Sequence, residues 1–319
     1  MTAIQSKKYT DLRIIFMGTP EFAVASLDAL VKAGCNIVGV ITAPDKLAGR
    51  GLQLQQSAVK KYAVENNLNV LQPDKLKNPE FLDDLRLLQA DLQIVVAFRM
   101  LPEVVWNMPP MGSVNLHGSL LPQYRGAAPI NWAVINGEKE TGVTTFKLKH
   151  EIDTGDILLQ DSFKIEETDD AGTVHDKMKG IGAQLLVKTV KGLADGSLME
   201  APQPSVVSRE SSEGSSLTTH NSPLKHAPKI FTETCQVKWN KAVDEVYNLI
   251  RGLAPYPAAF TLLNGKKLKV YKSEKINKIP AIAPGEFETD KKSYLHFACT
   301  NGFISILELQ LEGKKKMDI

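Results

Sequence analysis

The sequence predicts an α/β protein: a Rossmann-like, mostly parallel sheet followed by a small OB-like β-barrel. Three observations carry this. Short apolar runs alternate with helical patterns through the first two-thirds of the chain, the rhythm of a parallel sheet with right-handed crossovers. A Ser/Thr-rich stretch, Ser208–Pro228, is nearly free of large apolar side chains and reads as a linker, flexible in part. Several short strands then crowd into under 100 residues, as in a small barrel. At 319 residues the chain is long for one core. The expected division is 1–207, 208–228 and 229–319.

The elements follow in order. Leu12–Met17 is an Ile-rich apolar run ending at Gly18, followed by a helical face of Phe22, Leu27, Leu30 and Val31. Asn36–Thr42 reads as a strand, Ser57–Asn67 as a helix, Asn69–Leu71 as a brief strand and Pro79–Gln89 as a helix. Leu92–Phe98 is apolar but for Gln93, as expected of a strand buried on both faces. Further strands are predicted at Ser113–His117, Gly142–Leu148 and Ile157–Ile165. Thr173–Leu193 is the clearest helix, with Thr173 and Asp176 in the pattern of a capping box. In the last part, Ala242–Leu253 is amphipathic, and strands are expected at Ala258–Leu263, Leu268–Tyr271, Leu295–Cys299 and Ile304–Leu309. Asn264-Gly265 is the hairpin turn.

Composition excludes several classes. Hydrophobic residues make up 43% and charged residues 23%, so disorder and fibrous repeats are disfavoured. No apolar run reaches the roughly 18 residues of a membrane span, and the first residues lack the apolar region of a signal peptide. Cys35, Cys235 and Cys299 are scattered, without metal spacing, which fits a reducing cytoplasmic compartment. No metal is expected. Residues 229–319 hold 15 Lys/Arg against 10 Asp/Glu, while the remainder holds 23 against 26. A basic module on a mildly acidic body suggests an anionic partner, or simply a solvated surface. Lys266, Lys267 and Lys269 fall in one predicted hairpin, and Lys314–Lys316 form a second run.

The loop Gly18-Thr19-Pro20-Glu21 stands where a dinucleotide fingerprint would, but lacks G-x-G-x-x-G, so NAD and FAD are rejected. The dense signal is 113–129. There a strand ends with Asn115 and His117 on one face, followed by a Gly/Pro-rich loop. An amide donor beside an imidazole suits acyl-group chemistry, Asn holding an oxyanion and His managing a proton. A structural pair capping a strand is the alternative. The acidic turn His150–Asp156 could be only a turn. Otherwise it brings Asp153 to His117 and fixes the imidazole tautomer. No Ser or Cys stands in a nucleophile elbow, so direct transfer to an amine is the simpler mechanism. Pro44–Gly51, with Lys60 and Lys61 after it, is either an exposed loop or a segment that orders on a polyanion.

VNLHGSLLPQYRGAAPI at 114–130 and DTGD at 153–156 resemble the signature of formyltransferases that use 10-formyltetrahydrofolate. RIIFMGTPEFA at 13–23, PDKLAGRG at 44–51, HAPKIF at 226–231, Trp239-Asn240 and LEGKKKMD at 311–318 narrow the resemblance to the methionyl-tRNA formyltransferase family. The resemblance implies transfer of the formyl group to the amino group of initiator methionyl-tRNA. It implies a catalytic set of Asn115, His117 and Asp153. Ser119, Leu120, Leu121 and Pro122 correspond to the formyl-folate pocket, and Arg99, Met100 and Leu101 more loosely to the pterin site. Arg50 matches an arginine of the tRNA-contacting loop, and the lysines 266, 267 and 269 would meet tRNA phosphates. A monomer working in the cytoplasm is expected. The stretch Glu210–Asn221 departs from the family pattern, and relatives often continue past the position of Ile319 with a further helix. Three rivals remain: an enzyme formylating a nucleotide-linked amino sugar, a non-catalytic RNA-binding protein on the same scaffold, and a two-domain α/β protein with another ligand.

Overall fold

The computed structural model describes residues 7–48, 53–204 and 223–319. These form two compact units that interleave along the chain. One is built from Met1–Arg125, Gly142–Ser162 and Lys177–Lys225, the other from Gly126–Thr141, Phe163–Asp176 and His226–Ile319.

The first unit is organised by a seven-stranded sheet. Its strand order is Ile157–Lys164, Glu140–Lys147, Ser113–His117, Leu92–Val96, Arg13–Gly18, Asn36–Ile41, Val70–Leu71. The pairings from Val70–Leu71 across to Ser113–His117 are all parallel, and Glu140–Lys147 then runs antiparallel to Ser113–His117. A mostly parallel sheet is therefore what the alternating pattern produced. Leu92, Ile94 and Val96 are fully buried, each contributing about 1.5–3 kcal/mol of apolar burial. Ile15, Met17, Ile41, Phe81, Leu85 and Val95 form one core cluster with Leu76 and Val105. The order reverses between Arg13–Gly18 and Leu92–Val96. The carboxyl ends of the strands at such a switch point frame the crevice where open α/β sheets bind ligands.

Helix boundaries shift by a residue or two from expectation. The helices Ala58–Glu65 and Pro79–Leu87 start behind Ser57 and Asn78, whose side chains accept from Lys60 N and Glu80 N. The expected capping box at Thr173 and Asp176 is corrected: the helix spans Ala171–Asp195. Asp170 Oδ1 accepts from Thr173 N at 2.7 Å and from its hydroxyl at 2.9 Å. Asp170 is a stronger cap than Thr and lies one turn earlier. No helix among the described residues is long and apolar enough to cross a membrane.

The second unit holds an antiparallel sheet in the order Ala259–Leu263, Lys266–Ile276, Phe303–Leu311, Leu295–Ala298, Phe287–Thr289, with Met317–Asp318 paired to Phe303–Leu311. It curls as in a small barrel-like domain around Trp239, Val243, Ile250, Phe260, Val270, Phe297 and Ile304. The Asn264-Gly265 turn has both φ values positive, +48° and +75°, as a two-residue hairpin turn demands. Several elements of this unit were not expected, among them the strands Phe287–Thr289 and Met317–Asp318. The helix Pro129–Ile135 belongs to this unit. The short strand His226–Ala227 pairs with Arg125–Gly126, inside a stretch read as linker.

Candidate active site

Period-two geometry places the first two polar groups. Leu116 points to the helix Ala171–Asp195, where a Cβ on Gly182 would lie 2.9 Å from its Cδ2. Asn115 and His117 therefore take the opposite face, at the carboxyl end of a parallel strand. Their cross-strand partners are Phe146 and Thr144, and the Phe146 ring meets the imidazole edge-on with centroids 6.4 Å apart.

His117 is 7% exposed. Its Nε2 lies 2.9 Å from the backbone carbonyl of Tyr124. A carbonyl only accepts, so Nε2 carries the proton and donates it. Nδ1 then faces Asp153 Oδ2 at 3.8 Å, within ion-pair range but beyond a hydrogen bond. One expectation is corrected here. The Tyr124 carbonyl, rather than Asp153, fixes the tautomer. The Asp153 side chain, 11% exposed, faces that second ring nitrogen.

The backbone around this pair is strained. Asp153, Tyr124 and Ala97 have φ of +55°, +60° and +47°. Left-handed geometry costs a non-glycine residue on the order of 1 kcal/mol. Ala97 is one step beyond Val96, the partner of Leu116. The acidic loop is drawn onto the sheet at Gly155. A Cβ there would lie 1.5 Å from the Lys147 carbonyl oxygen, so only glycine fits.

The loop Ser119–Pro122 is held by a buried hydroxyl. Thr144 Oγ1 donates to the Ser119 carbonyl at 2.7 Å and accepts from Leu121 N at 3.1 Å and Gln160 Nε2 at 2.9 Å. Gln160 Nε2 also donates to the Leu121 carbonyl at 2.9 Å. Ser119 and Leu121 are buried, whereas Leu120 and Pro122 are half-buried. Arg99 behaves differently. Its guanidinium donates to the Asp74 carbonyl at 2.8 Å and to that of Pro73. Met100 is 74% exposed, and Leu101 packs on the apolar core. The structure thus brings Asn115, His117, Asp153 and the 119–122 loop to one place, while the Arg99 guanidinium is hydrogen-bonded to the 73–74 backbone. Thr144, Gln160 and the Tyr124 carbonyl were missed. Thr144 and Thr145 stand together between Val143 and Phe146 in the strand, the one local sign of a polar group turned into the core.

Arg50 lies outside the described residues. The strands Lys46–Ala48 and Gln53–Gln55 pair antiparallel on either side of it. Lys60, which follows the basic loop, is paired with Asp45. Gln72 donates to the other oxygen of that carboxylate at 2.8 Å, and the two donors hold the Asp45 carboxyl below its usual range. In the second unit, Lys267 and Lys269 share one strand face and Lys266 falls on the other. Lys267 Nζ sits 4.3 Å above the Phe260 ring, and Lys269 Nζ donates to the Pro257 carbonyl at 3.2 Å. Among the described residues no group of three or more His, Cys, Asp or Glu could hold a metal ion.

Residues 12–190 match the formyl transferase family model and residues 229–319 its C-terminal domain. A methionyl-tRNA formyltransferase of Parabacteroides distasonis is 55% identical over 318 residues, covering 98% of this chain and 95% of the relative. One of Bacteroides fragilis is 52% identical over 316 residues, covering 97% and 94%. Among solved structures, the sugar 3N-formyltransferase WlaRD, crystallised with dTDP and 5-N-formyltetrahydrofolate, superposes with a TM-score of 0.66 at 22% identity, covering 95% of this chain and 99% of that one. That likeness speaks to the fold alone. Identity above half, sustained through both units, carries the assignment further: the chain belongs to the methionyl-tRNA formyltransferase family.

Proposed function

We propose that this chain moves the formyl group of 10-formyltetrahydrofolate directly to the free amino group of initiator methionyl-tRNA, giving N-formylmethionyl-tRNA for translation initiation. Full-length identity to methionyl-tRNA formyltransferases supports the reaction and both substrates. The observation that carries the chemistry is the pair His117 Nδ1 and Asp153 Oδ2 at 3.8 Å, beside Asn115 on the same strand face. Residues 1–207 form the catalytic domain in this reading. Residues 229–319 form the tRNA-binding domain, joined through 208–228. Three free, buried cysteines agree with a cytoplasmic setting.

The amine nitrogen attacks the formyl carbon, and a C–N bond forms. The Asn115 amide donates to the oxyanion that develops. Nδ1 of His117 is the nitrogen that gains and loses a proton, because Nε2 is committed to Tyr124. Asp153 stabilises the resulting imidazolium and helps draw off the amine proton. The bond to N10 then breaks, N10 takes a proton and tetrahydrofolate leaves. The half-buried Leu120 and Pro122 suit the folate's apolar ring surface, on a loop that Thr144 and Gln160 keep rigid. Arg50, Lys266, Lys267 and Lys269 act on tRNA phosphates in this reading.

The test is turnover with 10-formyltetrahydrofolate and charged initiator tRNA, reading N-formylmethionine. Asn115→Ala and His117→Ala should each lose about 10²–10³ in kcat while remaining folded. Near-wild-type rates in either, or activity on a nucleotide-linked amino sugar but not on the tRNA, overturn the assignment.

A further inference from the structure

We infer that Gln203 is a positioning residue for the His117–Asp153 pair. It lies beyond the residues 12–190 that match the formyl transferase model. Its side chain joins the backbone of the acidic loop to the side chain of Arg125. Gln203 Nε2 donates to the carbonyl of Asp153 and to that of Gly155, both at 2.8 Å. Gln203 Oε1 accepts from Arg125 Nε at 3.1 Å and from Arg125 Nη2. The amide orientation is forced: two carbonyls can only accept and a guanidinium can only donate. All of the amide's usual donor and acceptor capacity is therefore used.

The placement gives these bonds their meaning. Asp153 carries the carboxylate on the Nδ1 side of the imidazole. Tyr124, whose carbonyl holds Nε2, is the residue before Arg125. One side chain thus ties the Nδ1 side of His117 to its Nε2 side. The segment bearing Gln203 is itself docked by reciprocal backbone bonds, Ala201 N to the Ile157 carbonyl at 2.9 Å and Ile157 N to the Ala201 carbonyl at 2.7 Å. Asp153 and Tyr124 both have left-handed backbones, which neither residue favours by itself. The clamp on the Asp153 and Gly155 carbonyls holds the acidic loop's backbone, and the bond to the Arg125 guanidinium links that loop to the side chain next to Tyr124. This inference rests on His117 and Asp153 acting as proposed above.

The experiment compares Q203M, Q203E and D153A in the full chain, with steady-state kinetics for both substrates. Q203M keeps the volume and removes every hydrogen bond. Q203E keeps an acceptor for Arg125 and removes both donors to the acidic loop. Both should lose about tenfold or more in kcat with little change in either KM, since a misplacement near 1 Å costs on that order or more. In the D153A background the Q203M change should nearly vanish, because the two residues act as one unit. Full activity in Q203M, loss confined to KM, or a full independent loss in the D153A background each overturns the inference. Wild-type kcat in D153A alone removes the reading on which it rests. If Q203M fails to fold, Q203E decides: wild-type kcat there refutes the role of the two donors.

Discussion

Replacing Gly155 by alanine perturbs the candidate site without touching any group assigned to chemistry. The new Cβ would sit 1.5 Å from the Lys147 oxygen, 2.8 Å from its carbonyl carbon and 3.2 Å from Phe146 Cδ2. Real Cβ contacts stay outside 3.0 Å, so the loop must retreat by about 1.5 Å. Lys147 is poorly placed to yield, being inside the sheet with its ammonium buried and donating to the Met111 carbonyl. The retreat breaks the bond from Lys147 N to the Asp156 carbonyl at 3.0 Å and the two Gln203 bonds at 2.8 Å. Three bonds at about 1 kcal/mol each make the stability loss about 3 kcal/mol. The catalytic loss is larger, because Asp153 leaves its place beside Nδ1 and a shift of this size costs about 10²-fold in turnover. The assay pairs formylation kinetics with chemical denaturation of the same preparation. A variant with unchanged turnover and stability would show that the acidic loop does not need this close approach, and the geometric argument for Asp153 would fail.

Other outcomes follow from the same geometry. Thr144→Val keeps volume but leaves the buried Leu121 N–H and Ser119 carbonyl without their partner; about 2–4 kcal/mol of stability should go, with a raised KM for 10-formyltetrahydrofolate, measurable by denaturation and saturation kinetics. Burial pushes the Cys35 thiol up to about 11 and that of Cys299 up to about 12, and raises Cys235 as well. A thiol reagent at about pH 8 should therefore react slowly with native protein and with all three cysteines after unfolding; fast native labelling contradicts this burial. Lys267→Ala and Lys269→Ala should each lower the slope of log affinity for tRNA against log salt by about 1, read by filter binding, with the KM for the folate donor unaffected.

The architecture was legible because backbone pairing and apolar burial leave a local trace. The run Leu92–Val96 announced a strand buried on both faces, and the alternation of strands and helices announced parallel crossovers. Asn264-Gly265 announced its hairpin through a backbone requirement that few residues meet. Asn115 and His117 were legible as a same-face pair because their spacing is local to one strand. The helix Pro129–Ile135 was not, being short and without a clear apolar face, and Thr173 was mistaken for a cap that Asp170 supplies.

What the sequence alone determined is therefore most of the longer strands and helices, the two-part organisation and, through its motifs, the family; it also pointed to three polar residues, Asn115, His117 and Asp153. Only the tertiary structure decided how those three relate. The Tyr124 carbonyl claims one imidazole nitrogen, Asp153 faces the other, and Thr144, Gln160 and Gln203 brace the loops that carry them. These partners lie from 7 to 86 positions from His117 in the chain. Hydrogen bonds of that separation depend on the three-dimensional path of the backbone, and no local periodicity encodes them.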